Sequence, residues 1–261
     1  MKNRSAKCKS DIIKCFTILP VLLFRRAGLL ATGRKLEMPV AELFLQEIFS
    51  GNPSRIHTNI VMMMFGMFEI VVFNLLFGNY LYRDLYENAD YIFVRYPNRI
   101  KWFLPNAKRL ALYTALYVFL FLGITFVICV NFSSGEIDET AIWVLFITYI
   151  MLCLFTYWTT LIINLLSMRL GSTMAFISLY IVMVVLAALA IGHEKIPVIN
   201  KCPLLLKLNP IANVVIQWES GSKESLFHAV YFICLIMITL CVGGVFVKRI
   251  DIGLINKEKA N

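Results

Sequence analysis

Residues 110–131 read LALYTALYVFLFLGITFVICVN and carry no charged side chain. A helix rises about 1.5 Å per residue, so this stretch matches the roughly 30 Å hydrocarbon core of a bilayer. Its flanks differ sharply. Before it lies 83–109, RDLYENADYIFVRYPNRIKWFLPNAKR, with Arg83, Arg95, Arg99, Lys101, Lys108 and Arg109 against Asp84, Glu87 and Asp90. After it lies 132–140, FSSGEIDET, with Glu136, Asp138 and Glu139 and no basic residue. Lys/Arg-rich flanks stay in the cytoplasm, which places 83–109 inside and 132–140 outside.

Outward from this pair, 141–166, 173–192 and 226–247 are equally free of Asp, Glu, Lys and Arg, and 60–82 carries only Glu69 in its interior. Strict alternation then puts Arg169 inside, 193–225 outside, and Lys248, Arg249, Lys257 and Lys259 inside. A weaker segment, 12–33, contains Lys14, Pro20, Arg25 and Arg26. The basic residues Lys2, Arg4, Lys7, Lys9 and Lys14 stay inside only if 12–33 crosses; the alternative makes it an interfacial helix. The expectation is an all-α integral membrane protein of six transmembrane helices with both termini cytoplasmic, forming one domain over 1–261. Its spans are 12–33, 60–82, 110–131, 141–166, 173–192 and 226–247.

Composition agrees with that reading. The chain is 59% hydrophobic and 16% charged, with mean hydropathy +0.75. A soluble domain is about 45–50% apolar and about 25% charged. The net charge of +9 is therefore read as membrane topology, and no nucleic-acid partner is expected. Seven cysteines, five of them in apolar runs, give no disulfide framework or metal spacing. The first apolar run, Cys15–Phe24, leads into Arg25–Arg26 rather than small residues, so no cleaved leader is predicted. Outside the bilayer, 36–49 has Glu37, Glu42 and Glu47 among apolar residues and is expected to form an amphipathic helix on the outer surface. The stretch 193–225, punctuated by Pro197, Pro203 and Pro210, suggests a broken or re-entrant helical piece.

Enzyme chemistry finds no support. There is no phosphate-binding G-x-x-x-x-G-K-[ST] loop, and His193–Glu194 does not continue as a zinc-binding H-E-x-x-H. His57, His193 and His228 are scattered. No cofactor or metal is expected on this chain. Asn74, Asn164 and the run Thr156–Thr160 are read as hydrogen-bonding joints between helices.

Two features remain. In 83–109, Tyr86, Tyr91, Phe93, Tyr96, Trp102 and Phe103 alternate with charges, and Pro97 and Pro105 are expected to break it into short pieces. This is either a docking knob for a cytoplasmic protein or an interfacial piece whose aromatics sit at headgroup level. The second feature is Glu69, an ionisable residue inside a span. At about 1.5 Å per residue, it lies roughly 14 Å from the outer end of its span, and Arg25 and Arg26 roughly 11–12 Å from theirs. An intramembrane charge pair of Glu69 with Arg25 or Arg26 is within reach. It either fixes helix register, faces a substrate or relays protons.

Six spans, cytoplasmic ends and an amphipathic loop between spans two and three resemble the type-2 permease subunits of ABC exporters. The stretch Tyr91-Ile92-Phe93-Val94-Arg95-Tyr96, followed by Arg99 and Trp102, is similar to the corresponding loop of small bacteriocin and lantibiotic export or immunity permeases. Leu208-Asn209-Pro210 also looks like a recurrent feature of such proteins. The resemblance implies a transport subunit of the cell membrane that hydrolyses nothing itself. A separate cytoplasmic ABC ATPase, carrying ATP and Mg, would dock on 83–105. A second permease copy or a paralogous permease would complete the path for a peptide or other amphipathic substrate. Tyr91, Phe93, Arg95, Tyr96, Arg99 and Trp102 would be the ATPase-coupling contacts. The alternatives are a non-transporting sensor or scaffold that docks a cytoplasmic partner, and an ion-coupled secondary transporter that uses Glu69.

Overall fold

A computed structural model describes residues 10–27, 31, 35–49, 66–89, 92, 95–96, 98–195, 204, 207–215 and 222–250. Among these the chain is all-helical and without strands. The helices are α1 (Ile18–Arg25), α2 (Val40–Phe49), α3 (Phe68–Phe77), α4 (Tyr80–Glu87), α5 (Ile100–Phe132), α6 (Glu139–Leu170), α7 (Ser172–Lys195), α8 (Pro210–Val215) and α9 (Ser222–Arg249).

Four of them, over Ile100–Phe132, Glu139–Leu170, Ser172–Ile191 and Leu226–Arg249, are long and apolar enough to cross a membrane. Their outward faces argue the same way. Phe119 is 62% exposed, Ile181 60% and Ile238 60%, and neighbouring positions resemble them. So much apolar surface is stable against lipid and not against water. The inward faces pack Phe73, Phe77, Phe103, Tyr117, Phe121, Phe155 and Phe232 into one core. Local chemistry sets the ends of α6: Asp138 accepts from the Ala141 N–H at 2.8 Å as N-cap, and Gly171 at φ +78° turns the chain directly into α7.

The structure departs from the sequence expectation at three places. The polar segment 83–109 is not loop throughout: Ile100–Arg109 forms the first turns of the 33-residue α5. Pro105 sits inside that helix rather than breaking it. It lies just past the first turn, on the exposed side, and forfeits a single backbone bond. The expected span 60–82 is described from residue 66 onward, and there it is α3 and α4, divided at Gly78–Asn79. The helix α2 is amphipathic, with Glu42 exposed and its apolar face laid against the bundle. Val40, Leu43, Phe44 and Ile48 are all 1% exposed or less, and Phe44 meets Phe126 of α5 edge to face at 5.6 Å. The linker before α2 is pinned to the end of α5 by the Leu36 N–H to the Phe132 carbonyl, 2.7 Å, and by Ser133 Oγ to the Met38 carbonyl, 2.5 Å.

The first segment runs beside α5. Cys15 Sγ donates to the Tyr113 carbonyl at 3.8 Å, and α1 leads away from there towards Arg25. Its lysine is neutralised within the same turn, with Lys14 Nζ 2.9 Å from Asp11 Oδ1 and 5.9 Å from the Phe77 ring centroid. At the opposite end of the chain, α9 packs tightly against α5 and α6 through Gly243. A Cβ there would meet Phe103 Cζ and Leu165 Cδ2, each at 2.9 Å. Gly243→Val is expected to push α9 outward at a cost of about 1–3 kcal/mol. Gly123→Ala, where a Cβ meets nothing within 4 Å, should leave stability unchanged or raise it by up to about 1 kcal/mol. Thermal unfolding of the two variants in detergent checks the contrast.

Candidate functional site

The first site is a buried cluster of four charges. Arg25, ending α1, donates through Nη1 to Glu69 Oε2 of α3 and through Nη2 to the Ile48 carbonyl of α2 at 2.9 Å. Arg26 turns to α2 instead, its Nε 3.0 Å from Glu47 Oε2. Tyr117 of α5 donates its hydroxyl to the Glu69 backbone carbonyl at 2.9 Å. Arg26 and Glu69 are each 1% exposed. Two cations and two carboxylates thus join α1, α2, α3 and α5, with zero formal charge. Glu47 is the member that sequence reasoning missed. Its signal is faint: it borders the stripe Val40, Leu43, Phe44 and Ile48, but that spacing names no partner. Three buried atoms in the cluster, Glu69 Oε1, Arg26 Nε and Arg26 Nη2, accept or donate no hydrogen bond among the described residues.

The second site is the junction between α4 and α5. Leu81, Leu85, Ala89 and Ile92, at helical spacing, are each 3% exposed or less, so this piece lies with an apolar face against the bundle. Glu87, Asn88 and Arg95 are exposed. Trp102 is 5% exposed, and its indole N–H donates to Asp84 Oδ2 of α4 at 2.9 Å. Arg99 donates to the carbonyls of Val247 at 3.4 Å, Lys248 at 3.3 Å and Ile250. It therefore caps the C-terminal end of α9, where carbonyls lack helical partners and the macrodipole favours a cation. Tyr96 is half-buried and Arg95 exposed. Tyr91 and Phe93 lie outside the described residues. Of the six residues singled out by resemblance, Arg99 and Trp102 are thus fastened within the fold, and Arg95 and Tyr96 reach its surface.

Two polar joints hold the irregular backbone in the bundle. At the α3–α4 break, the Leu81 N–H donates to Asn164 Oδ1 at 2.7 Å, and Asn164 Nδ2 donates to the Phe77 carbonyl at 2.9 Å. Nearby, Asn74 Nδ2 reaches Tyr180 Oη at 2.9 Å, and Thr160 Oγ1 donates to Asn74 Oδ1 at 2.6 Å. A small apolar crevice lined by Met67, Ile70, Phe155 and Met183 lies beside this joint. At Leu208-Asn209-Pro210, Asn209 Oδ1 accepts from the Ile211 N–H at 3.0 Å, capping α8, while its Nδ2 donates to the Leu186 carbonyl of α7 at 2.6 Å. Tyr231 of α9 donates to the Leu208 carbonyl at 2.6 Å. The triplet therefore seats a short helical piece between α7 and α9. Among the described residues no group of His, Cys, Asp and Glu is arranged to hold a metal ion.

Helices of this length and surface, with charges closed on each other inside, define a helical membrane protein. The chain belongs to the family described as "Protein of unknown function (DUF2705)", whose model matches residues 16–253. No curated protein and no solved structure matches it.

Proposed function

We propose that this chain is the membrane-spanning permease subunit of an ATP-driven exporter of the cell membrane, with six spans and both termini in the cytoplasm. Segments 12–33 and 60–82 are the two further spans. The neutralised charges of Asp11 with Lys14 and Arg25 with Glu69 support placing them in hydrocarbon, since a paired charge costs far less there than a lone one. ATP and Mg belong to a separate ABC ATPase, and a second permease, identical or paralogous, completes the path. The substrate class suggested by the family resemblance is an amphipathic peptide.

The observation that carries the reading is the fastening of 83–105. A coupling element must transmit force rather than absorb it. Through Trp102–Asp84 it is tied to α4 and α5, and through Arg99 to the end of α9. A push on Tyr91, Phe93, Arg95 or Tyr96 would therefore move three helices together. Alternating access follows when two partner ATPases close on ATP and open after hydrolysis. The charge cluster, closed by Arg25 and Arg26 on Glu69 and Glu47, supports a register-fixing role for Glu69 over an ion-coupling one.

The test is co-purification of the tagged full chain from its native membrane in mild detergent. An ABC ATPase is expected in the eluate. It should be lost when Tyr91, Phe93 and Tyr96 are changed to Ala, with Trp102 kept because it is structural. An eluate without an ATPase would turn the reading towards a scaffold, and an ATPase kept by the triple variant would overturn 91–96 as its contact.

A further inference from the structure

We propose that the flank of α5 at its basic end binds an anionic phospholipid. Its phosphate is held between Lys101 and Lys108, and an acyl chain lies along Leu112 and Phe119.

The face is defined by spacing. Residues 101, 104, 108, 112 and 119 recur every three, four or seven positions, so they share one side of the helix. Lys101 and Lys108 are exposed. Leu104 is 48% exposed, Leu112 61% and Phe119 62%. The two lysines therefore stand directly in line with the apolar stripe that acyl chains must cover. They are about 10 Å apart along the axis. Lysine stems snorkel, so both ammonium groups can converge on a phosphate near Leu104.

Among the described residues neither lysine takes part in an ion pair. Of the described carboxylates on α4, Asp84 is engaged by Trp102 and Glu87 by Arg83 at 3.8 Å. A zwitterionic headgroup carries its own cation and gains little from two more, whereas an anionic one gains from both. A second copy of the chain packed face to face would set lysines against lysines. An ATPase would meet the end of the bundle rather than a flank that continues into its lipid-covered side. The site needs membrane insertion only and stands whether or not the chain is a permease.

Native mass spectrometry of the purified full chain, titrated separately with phosphatidylglycerol and phosphatidylcholine, tests it. Phosphatidylglycerol is expected to be retained preferentially. Its retention should fall about fivefold for each lysine removed in Lys101→Gln and Lys108→Gln, and should persist in the paired Lys→Arg variant. Lys248→Gln with Arg249→Gln, at the same end of the bundle, should leave retention unchanged. Equal retention of both lipids would overturn the site. So would undiminished retention in the Lys101/Lys108 double variant, or an equal loss in the Lys248/Arg249 variant, which would mean diffuse charge attraction only.

Discussion

Changing Glu69 to Ala is expected to cost about 3–5 kcal/mol and to remove most of the folded protein from the membrane. The reason is what the change leaves behind. Arg25 would keep its guanidinium inside the bundle beside the Ile48 carbonyl, without the Glu69 carboxylate. Arg25→Ala should do comparable damage from the other side, stranding a carboxylate that is 1% exposed. The reciprocal exchange, Arg25→Glu with Glu69→Arg, restores one charge of each sign and should recover a large part of the loss. Arg26→Ala should cost less, because its partner Glu47 keeps 21% of its side chain exposed and can recover solvation. Membrane abundance and thermal unfolding in detergent, measured on all four variants, check the ranking. An exchange variant no better than either single change would overturn the pairing as the source of stability.

Asn164→Leu is the second large effect, and it acts through backbone rather than charge. Where α3 gives way to α4, helical bonding lapses around Gly78–Asn79, and Asn164 serves both an N–H and a carbonyl there. Leucine fits the volume but answers neither group. Each buried backbone group left unpaired costs about 1–3 kcal/mol, so the variant should lose about 2–6 kcal/mol. At about 2–4 °C per kcal/mol for a chain of this size, the melting temperature should fall by about 4–24 °C. Asn131→Leu is the matched control: that side chain is exposed and bonds only the Val127 carbonyl of its own helix. Its melting temperature should stay within a degree or two of the parent. Equal behaviour of the two variants would mean that water or another group serves the α3–α4 break.

The same residues show what was legible beforehand. Asn164 reads from sequence as a polar joint inside an apolar helix, since a lone amide in hydrocarbon needs a partner. That its partner is a break in another helix depends on α3, α4 and α6 meeting, which no local pattern encodes. Trp102 shows the reverse. Composition gives it to an exposed aromatic cluster, and the fold turns it inward onto Asp84, because Ile100–Arg109 winds into α5 and carries every third or fourth side chain against the bundle.

By itself the sequence determined the all-helical class, the apolar runs that form the four long helices (two of the six expected spans, 12–33 and 60–82, not being among them) and the reach of Glu69 to Arg25. These follow from run length, charge content and rise per residue, all local quantities. Only the tertiary structure decided that Arg25 takes Glu69 while Arg26 takes Glu47. It alone drew α2 into the bundle and tied Arg99 to the end of α9. Those outcomes rest on which faces meet across tens or hundreds of residues, where burial makes each charge and carbonyl find a partner that chain proximity does not supply.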